Sequence, residues 1–511
     1  MRFEDNATLN ILARTSSSVF LLISSVFMVR YLSKEDYGTF LQVMLILNTV
    51  IMLTFVGLPH SVYYYYPQIR DKRHFVKQTL LVGTVISIVA ATIVFLLRHS
   101  LAVWLNNPDL AYFGGITALL ILCQGPVVFR DPILLSQNAL MLNSVSTLLT
   151  ALLTYIPLFI ALFFGVGLKS IILIFLGSNL ANLVVFLAMI GLLFRNTDSA
   201  DAETSEDQER RLRVSLWEQV RYSFPIGLAS YIGIIGKQID KYIISAFFLP
   251  AQFAVYSRGA MEVPLIGNVT YTLNDMTMPR YVAAYKRGDT KEFLRLMHTN
   301  IDKVAKINFG VFAFLFFEAG LLMEVLYTRE YLSTTPVFQV YLFLLFLSIT
   351  VYGMIPRVTG KTRQLTFATG LSVSLNIVFS LCMIPLLGPV GAAAGTILGS
   401  LGYMIFLLWS ASRTLGVSWR AILPWRMLLQ TLAAAAAPLV LVWGYHAALG
   451  YFVISKNFWV LCGAFGFYLY GYLSALNFSG LLQDQDRAYL CRWLRFDLFV
   501  LLPRSRTGVE P

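Results

Sequence analysis

Long apolar runs recur along this chain, broken at short intervals by charged or turn-forming clusters. A helix needs roughly 20 mostly apolar residues to cross the hydrocarbon of a bilayer. Runs of that kind start near residues 9, 39, 76, 110, 142, 170, 222, 252, 301, 336, 364, 389, 426 and 457, so the pattern predicts an all-α polytopic membrane protein with about 14 transmembrane helices. The fourth and eighth runs are interrupted, one by "PVVFRDP" (126–132), the other by Arg258, Glu262 and Pro264. The opening "MRFEDNATLN" lacks the charged start and small-residue cleavage site of a signal peptide. The first run, 9–29, therefore reads as a retained membrane helix.

Composition agrees with that pattern. Hydrophobic residues make up 57% of the 511 and charged residues only 13%, too few to cover soluble domains of this size. The net charge of +12 would suit nucleic acid, but its placement points elsewhere. With the N-terminus inside, basic segments such as "QIRDKRHFVK", "ERRLRVSLWEQVR", "RYVAAYKRGDTKEFLRLMHTNIDKVAK", "PRVTGKTR" and "RWLRFDLFVLLPRSR" all become inner loops or tail. Roughly 30 of the 39 Lys and Arg then lie inside and about 6 outside, a positive-inside bias that puts both termini in the cytoplasm. The hydrophilic stretch 195–213 reads as a flexible cytoplasmic linker. Four scattered cysteines and five histidines form no metal-ligand spacing. No nucleophile, base, metal or cofactor constellation stands out, so no cofactor and no enzymatic activity are expected.

Three basic residues belong to no loop: Lys237, Lys241 and Arg258. In "YIGIIGKQIDKYIISAFF" (231–248), Lys237, Asp240 and Lys241 sit within an apolar run, where each charge costs about 2.5–3.5 kcal/mol at a helix centre. Gly227, Ser230, Gly233, Lys237, Asp240 and Lys241 follow spacings of three and four, one helical stripe, with Ile232, Ile235, Ile239 and Ile243 largely elsewhere. Such a stripe should face protein or a water-filled cavity. Counted from the turn "LPAQ", Arg258 lies about 10 Å along the eighth run and Lys241 about 12 Å along the seventh, with Glu262 one turn beyond Arg258. An ion-pair cluster that only fixes helix packing would use the same residues. Three cations against Asp240 and Glu262 nevertheless leave about one positive charge over, an unfavourable balance in low dielectric without an anion. A phosphate or carboxylate ligand fits it, Arg giving bidentate contacts and Lys a point charge. Arg14, in the polar first run "ILARTSSSVFLLISS", either snorkels to the interface or lines the same cavity.

The two halves also resemble each other. "YLSKEDYGTF" (31–40) and "FFLPAQFAVY" (247–256) share a pattern of aromatic, short polar turn, aromatic, small residue, aromatic, at matching points of the topology. Repeated halves place a transport site near the midplane. "GAAAGTILG", with Gly391, Gly395 and Gly399 four apart, reads as a close helix-packing surface, and "YYYYP" (63–67) as an interfacial aromatic belt.

"RYLSKEDYGTFLQV", "QIDKYIISAFFLPAQFAVYSRGAM" and "PLLGPVGAAAGTILGSL" resemble the polysaccharide flippase family, the O-antigen (Wzx-type) branch of the superfamily that also holds the multidrug and toxin extruders. The resemblance implies two pseudo-symmetric six-helix bundles, 1–194 and 222–411, joined by a linker at 195–221. Two further helices follow within 412–478, then a cytoplasmic tail, 479–511. It implies a bacterial inner-membrane transporter that moves undecaprenyl-diphosphate-linked oligosaccharide to the periplasmic leaflet by alternating access. Asp240 and Lys241 match the family's Asp-Arg/Lys pair and Tyr256 the aromatic after the turn, whereas Arg258 lies just beyond the family pattern. The expected partners are the lipid-linked oligosaccharide and membrane lipids, with a polysaccharide polymerase, a chain-length regulator and coupling H+ or Na+ as candidates, and no nucleic acid. A peptidoglycan-precursor flippase, a drug/cation antiporter and a membrane glycosyltransferase or polymerase are the alternatives.

Overall fold

A computed structural model describes residues 3–55, 57–69, 71–137, 139–195, 214–263, 266–451 and 458–482. Every regular element among them is a helix. Among the described residues ten helices are long and apolar enough to cross a membrane, or eleven with one bent pair, so the all-α polytopic class holds, with ten or eleven such helices beside the fourteen expected. The linker 196–213 and the tail from 483 lie outside the described residues. Backbone contacts gather the chain into two compact units, 1–257 and 258–511.

The first unit contains α1 (Phe3–Tyr31), α2 (Lys34–Phe55), α3 (Leu58–Tyr65), α4 (Lys72–Trp104), α5 (Asp109–Val127), α6 (Arg130–Ser136), α7 (Leu140–Phe163), α8 (Leu168–Arg195), α9 (Leu216–Phe247) and most of α10 (Pro250–Gly259). The interruption at "PVVFRDP" is a joint between α5 and α6, which together make one span, Asp109–Ser136. An apolar cluster of Phe55, Val62, Tyr66, Phe75, Phe129 and Phe186 closes one end of the unit. Neutral polar side chains close the other. Gln42 donates to the Leu105 carbonyl (3.0 Å) and to Ser245 Oγ (2.7 Å), and Asn107 donates to Gln42 (2.5 Å) and Thr39 (2.9 Å). All four side chains are buried, and each bond removes a polar group that would otherwise be stranded away from water.

The second unit contains α11 (Ile266–Lys286), α12 (Thr290–Phe317), α13 (Ala319–Tyr327), α14 (Thr335–Leu342), α15 (Thr362–Leu387), α16 (Pro389–Leu415), α17 (Trp425–Ala436), α18 (Leu439–Tyr451) and α19 (Phe458–Phe478), besides a few short turns. Two expectations change here. The eighth span is broken: α10 stops at Gly259 and α11 begins at Ile266. A Cβ at Gly259 would lie 2.8 Å from the Thr334 carbonyl oxygen, and Pro264 disfavours helical geometry just before it. The charged stretch read as an inner loop before residue 301 is already helix. Asp289 caps α12 by accepting from the Glu292 N–H at 2.9 Å, and Phe293, Leu296, Met297, Ile301 and Val304 bury one face at spacings of three and four.

The glycine surface behaves as expected. Cβ atoms built at Gly391, Gly395 and Gly399 would lie 2.2–2.6 Å from atoms of Met383, Ser380 and Ser372 on α15. Substituting Gly395 by Leu should therefore destabilise the protein by about 1–3 kcal/mol through overpacking. A thermal melt in detergent checks this, with Gly370→Leu as the control, because Gly370 faces open space. The C-terminal helices dock on α12 through tyrosines. Tyr468 donates to the Gly310 and Ala435 carbonyls (2.9 and 3.0 Å), and Tyr472 to that of Lys306 (2.7 Å).

Candidate functional site

Helix α9 carries the charged stripe and is anchored within the first unit at both ends. Its start is a capping box, with Glu218 N–H donating to Ser215 Oγ (3.2 Å) and Ser215 N–H to the Glu218 carboxylate (2.7 Å). Nearby, Gly57 at φ 89° lets the backbone pass Ser223, whose carbonyl oxygen a Cβ would approach to 2.3 Å. Thr79 Oγ1 donates to Gln219 Oε1 at 3.4 Å, and Tyr64 stacks on Tyr222 at 4.6 Å. At the other end Ser245 accepts from Gln42, and Tyr242 stacks on Trp104 at 5.6 Å. The two repeat segments meet there. A Cβ at Gly38, in the first, would lie 1.9 Å from the carbonyl oxygen of Pro250, in the second.

Between these anchors the charged residues take different environments. Asp240 is 2% exposed, and the buried Tyr256 hydroxyl donates to its carboxylate at 2.7 Å. Tyr256 lies on α10, which follows α9 after the short break at 248–249. Lys241 is half-buried, its Nζ 3.3 Å from Gln238 Oε1. Lys237 is exposed and has no hydrogen-bond or ion-pair partner among the described residues. At ~100° per residue, Lys237 and Lys241 lie about 60° and about 100° around the axis from Asp240, and Ser245 about 140°. The lysines thus occupy the sector between the Tyr256 contact and the Gln42 contact, one turn apart. Among the described residues of the first unit no carboxylate bonds either ammonium group, and a lysine acts on its surroundings as a point charge. The hydrogen bond from Tyr256 holds the neighbouring carboxylate in place.

The other expected residues are not all brought to this stripe. Arg258 begins the second unit, where its guanidinium lies 6.0 Å over the Tyr327 ring. Glu262 is exposed in the non-helical break and does not follow Arg258 by a helical turn, because α10 has ended at Gly259. Arg14 belongs to α1, and its side chain lies outside the described residues. Three arrangements went unread in the sequence. They are the amide network at Gln42 and Asn107, the pair of Arg130 with Asp131 at 3.1 Å, Arg130 also donating to Thr150 at 2.7 Å, and a contact of 2.6 Å between Glu318 and His446. Ionisable residues within apolar runs were the available signal for the last two. Among the described residues no group of three or more His, Cys, Asp or Glu gathers to hold a metal.

Comparison with known proteins extends the picture. A family described as "Polysaccharide biosynthesis protein" matches residues 3–275, more than half of the chain. No curated protein matches. Among solved structures, "Lipid II flippase MurJ, inward closed conformation" is similar at a TM-score of 0.66 and 14% identity, covering 96% of this chain and 100% of that one. An inward-facing multidrug resistance MATE family transporter of the MOP superfamily gives 0.60 and 14%, over 78% of this chain and 94% of that one. A MOP superfamily transporter from Pyrococcus furiosus, reported with a binding pocket of reverse polarity, gives 0.54 and 15%, over 81% and 96%. At these identities the likeness is one of fold.

Proposed function

Because this chain belongs to the polysaccharide biosynthesis protein family, we propose that it is a flippase for undecaprenyl-diphosphate-linked oligosaccharide, carrying repeat units from the cytoplasmic to the periplasmic leaflet for O-antigen, capsule or exopolysaccharide. The observation that carries this reading is the pair of lysines on α9, Lys237 exposed and Lys241 half-buried, beside a carboxylate held by Tyr256. A drug/cation antiporter would instead favour an anionic surface. The lysines attract the diphosphate or an acidic sugar, Asp240 orients Lys241, and the prenyl tail stays in lipid. Access alternates about this site, in the inner membrane with both termini cytoplasmic. The polymerase and chain-length regulator of the pathway are the partners this role calls for.

A peptidoglycan-precursor flippase is the second reading. The solved lipid II flippase favours it, because its likeness covers 96% of this chain against 78–81% for the multidrug and Pyrococcus transporters. Complementation separates the two. The chain should restore surface polysaccharide to a strain lacking its own repeat-unit flippase and should leave a strain depleted of its precursor flippase unable to grow. The reverse outcome would assign the precursor instead.

A further inference from the structure

One buried ionisable contact is not used by the lysine stripe. At Glu318 the membrane helix turns by 75°, from α12 into α13. Glu318 begins α13 without capping it. Its carboxylate oxygen lies 2.6 Å from Nε2 of His446 on α18, one of the C-terminal helices. The glutamate side chain is 3% exposed and the histidine 23%. A carboxylate within a membrane bundle is expensive unless it is paired, and its default reading is functional. Among the described residues no basic side chain other than His446 pairs with Glu318. Tyr445 flanks the imidazole with ring centroids 5.7 Å apart. Glu324 on α13 bonds Arg329 at 2.7 Å, and the α19 hydroxyls of Tyr468 and Tyr472 donate to backbone carbonyls. Asp302 and Lys306 on α12 pair with each other at 2.7 Å, and Lys306 is about 18 Å along that helix from Glu318. The remaining described titratable side chains of these elements are Lys291, Glu292, Arg295, His298 and Lys303 on α12, Tyr327 on α13, Tyr341 on α14, and Cys462 and Tyr470 on α19.

We propose that Glu318 and His446 form a proton-binding site at this bend, through which a proton gradient acts on the transporter. In the deprotonated state Nε2–H of a neutral imidazole donates to the carboxylate, and the pair carries a net −1. A proton arriving from water adds to Nδ1 of His446, the more exposed partner, and the pair becomes a neutral imidazolium–carboxylate. The neutral state suits the apolar interior. Loss of the proton restores the net charge and favours separation of the pair toward water. The separation frees the bend from α18. One carboxylate and one imidazole suit a proton, whereas hard metal cations require a cage of several oxygens. The consequence for transport rests on the flippase reading, but proton binding does not.

The test uses the full chain in nanodiscs and in cells. Infrared difference spectra across pH should show a histidine–carboxylate titration in the wild type that disappears in both Glu318→Gln and His446→Gln. His446→Gln keeps a donor for the carboxylate but takes no second proton, so it separates titration from packing. In cells, collapse of the pH gradient by nigericin should lower polysaccharide export by the wild type. The variants should export poorly and show no response to nigericin. A titration that persists in both variants, or wild-type export indifferent to the gradient, would overturn the proposal. A lowered melting temperature in Glu318→Gln with the titration unchanged would make the pair a packing contact only and overturn it as well. If the titration behaves as expected but the chain supports no polysaccharide export, the flippase reading fails and the proton site stands.

Discussion

Export of surface polysaccharide is expected to fall below detection when Lys237 and Lys241 are both replaced by alanine, at unchanged protein level. Each ammonium that contacts a phosphate oxygen contributes about 1.5–3 kcal/mol as a charged hydrogen bond, so each loss weakens binding at least roughly tenfold. The double change removes both positive charges from the open sector of α9, while its anchors at Gln219, Ser223, Tyr242 and Ser245 keep their contacts. Melting temperature should therefore stay near that of the wild type. Arginine at both positions should retain most export, since the charge and reach survive. Quantitative immunoblotting of surface polysaccharide, normalised to membrane protein, reads the outcome. A double-alanine variant that exports normally would remove the lysines from the site.

The second large effect concerns stability. Gln42→Leu should destabilise the first unit by about 3 kcal/mol or more, because it deletes three hydrogen bonds in a buried place. The bonds to Leu105 and Ser245 go, as does the one accepted from Asn107. Each buried group left unsatisfied costs roughly 1–3 kcal/mol, and leucine cannot replace any of the three. Since Ser245 lies five residues beyond Asp240 on α9, the same change loosens the helix that presents the lysines. A thermal melt in detergent should show the loss, with export reduced in parallel. Ser245→Ala removes one of the three bonds and should fall between the two. An unshifted melt for Gln42→Leu would mean that the network does not anchor α9.

The parts legible in the sequence were those that violate a strong rule. Charges inside an apolar run stand out, so Lys237, Asp240 and Lys241 could be read from spacing alone, as could the packing stripe at Gly391, Gly395 and Gly399. What could not be read was partnership. Gln42 and Ser245 are 203 residues apart, and a lone glutamine in a membrane helix carries no mark of what it will bond. Glu318 and His446 are each single ionisable residues in apolar surroundings, yet only the fold brings two positions 128 residues apart together. The eighth span failed for a local reason. Helix α10 ends at Gly259, so Glu262 leaves the face that helical counting gave it. The helical start of α12 was missed because its charges read as loop, although its apolar residues already kept the spacing of an amphipathic helix.

The claim on which the account turns is that α9 presents a cationic face to a lipid-linked diphosphate. Titrating undecaprenyl diphosphate into the purified chain in nanodiscs measures it directly, with wild type beside the Lys237→Ala, Lys241→Ala double variant. The account predicts saturable binding to the wild type that weakens by roughly a hundredfold in the variant, tenfold for each ammonium removed, and that falls as salt is raised. Equal affinity for the two proteins would contradict it.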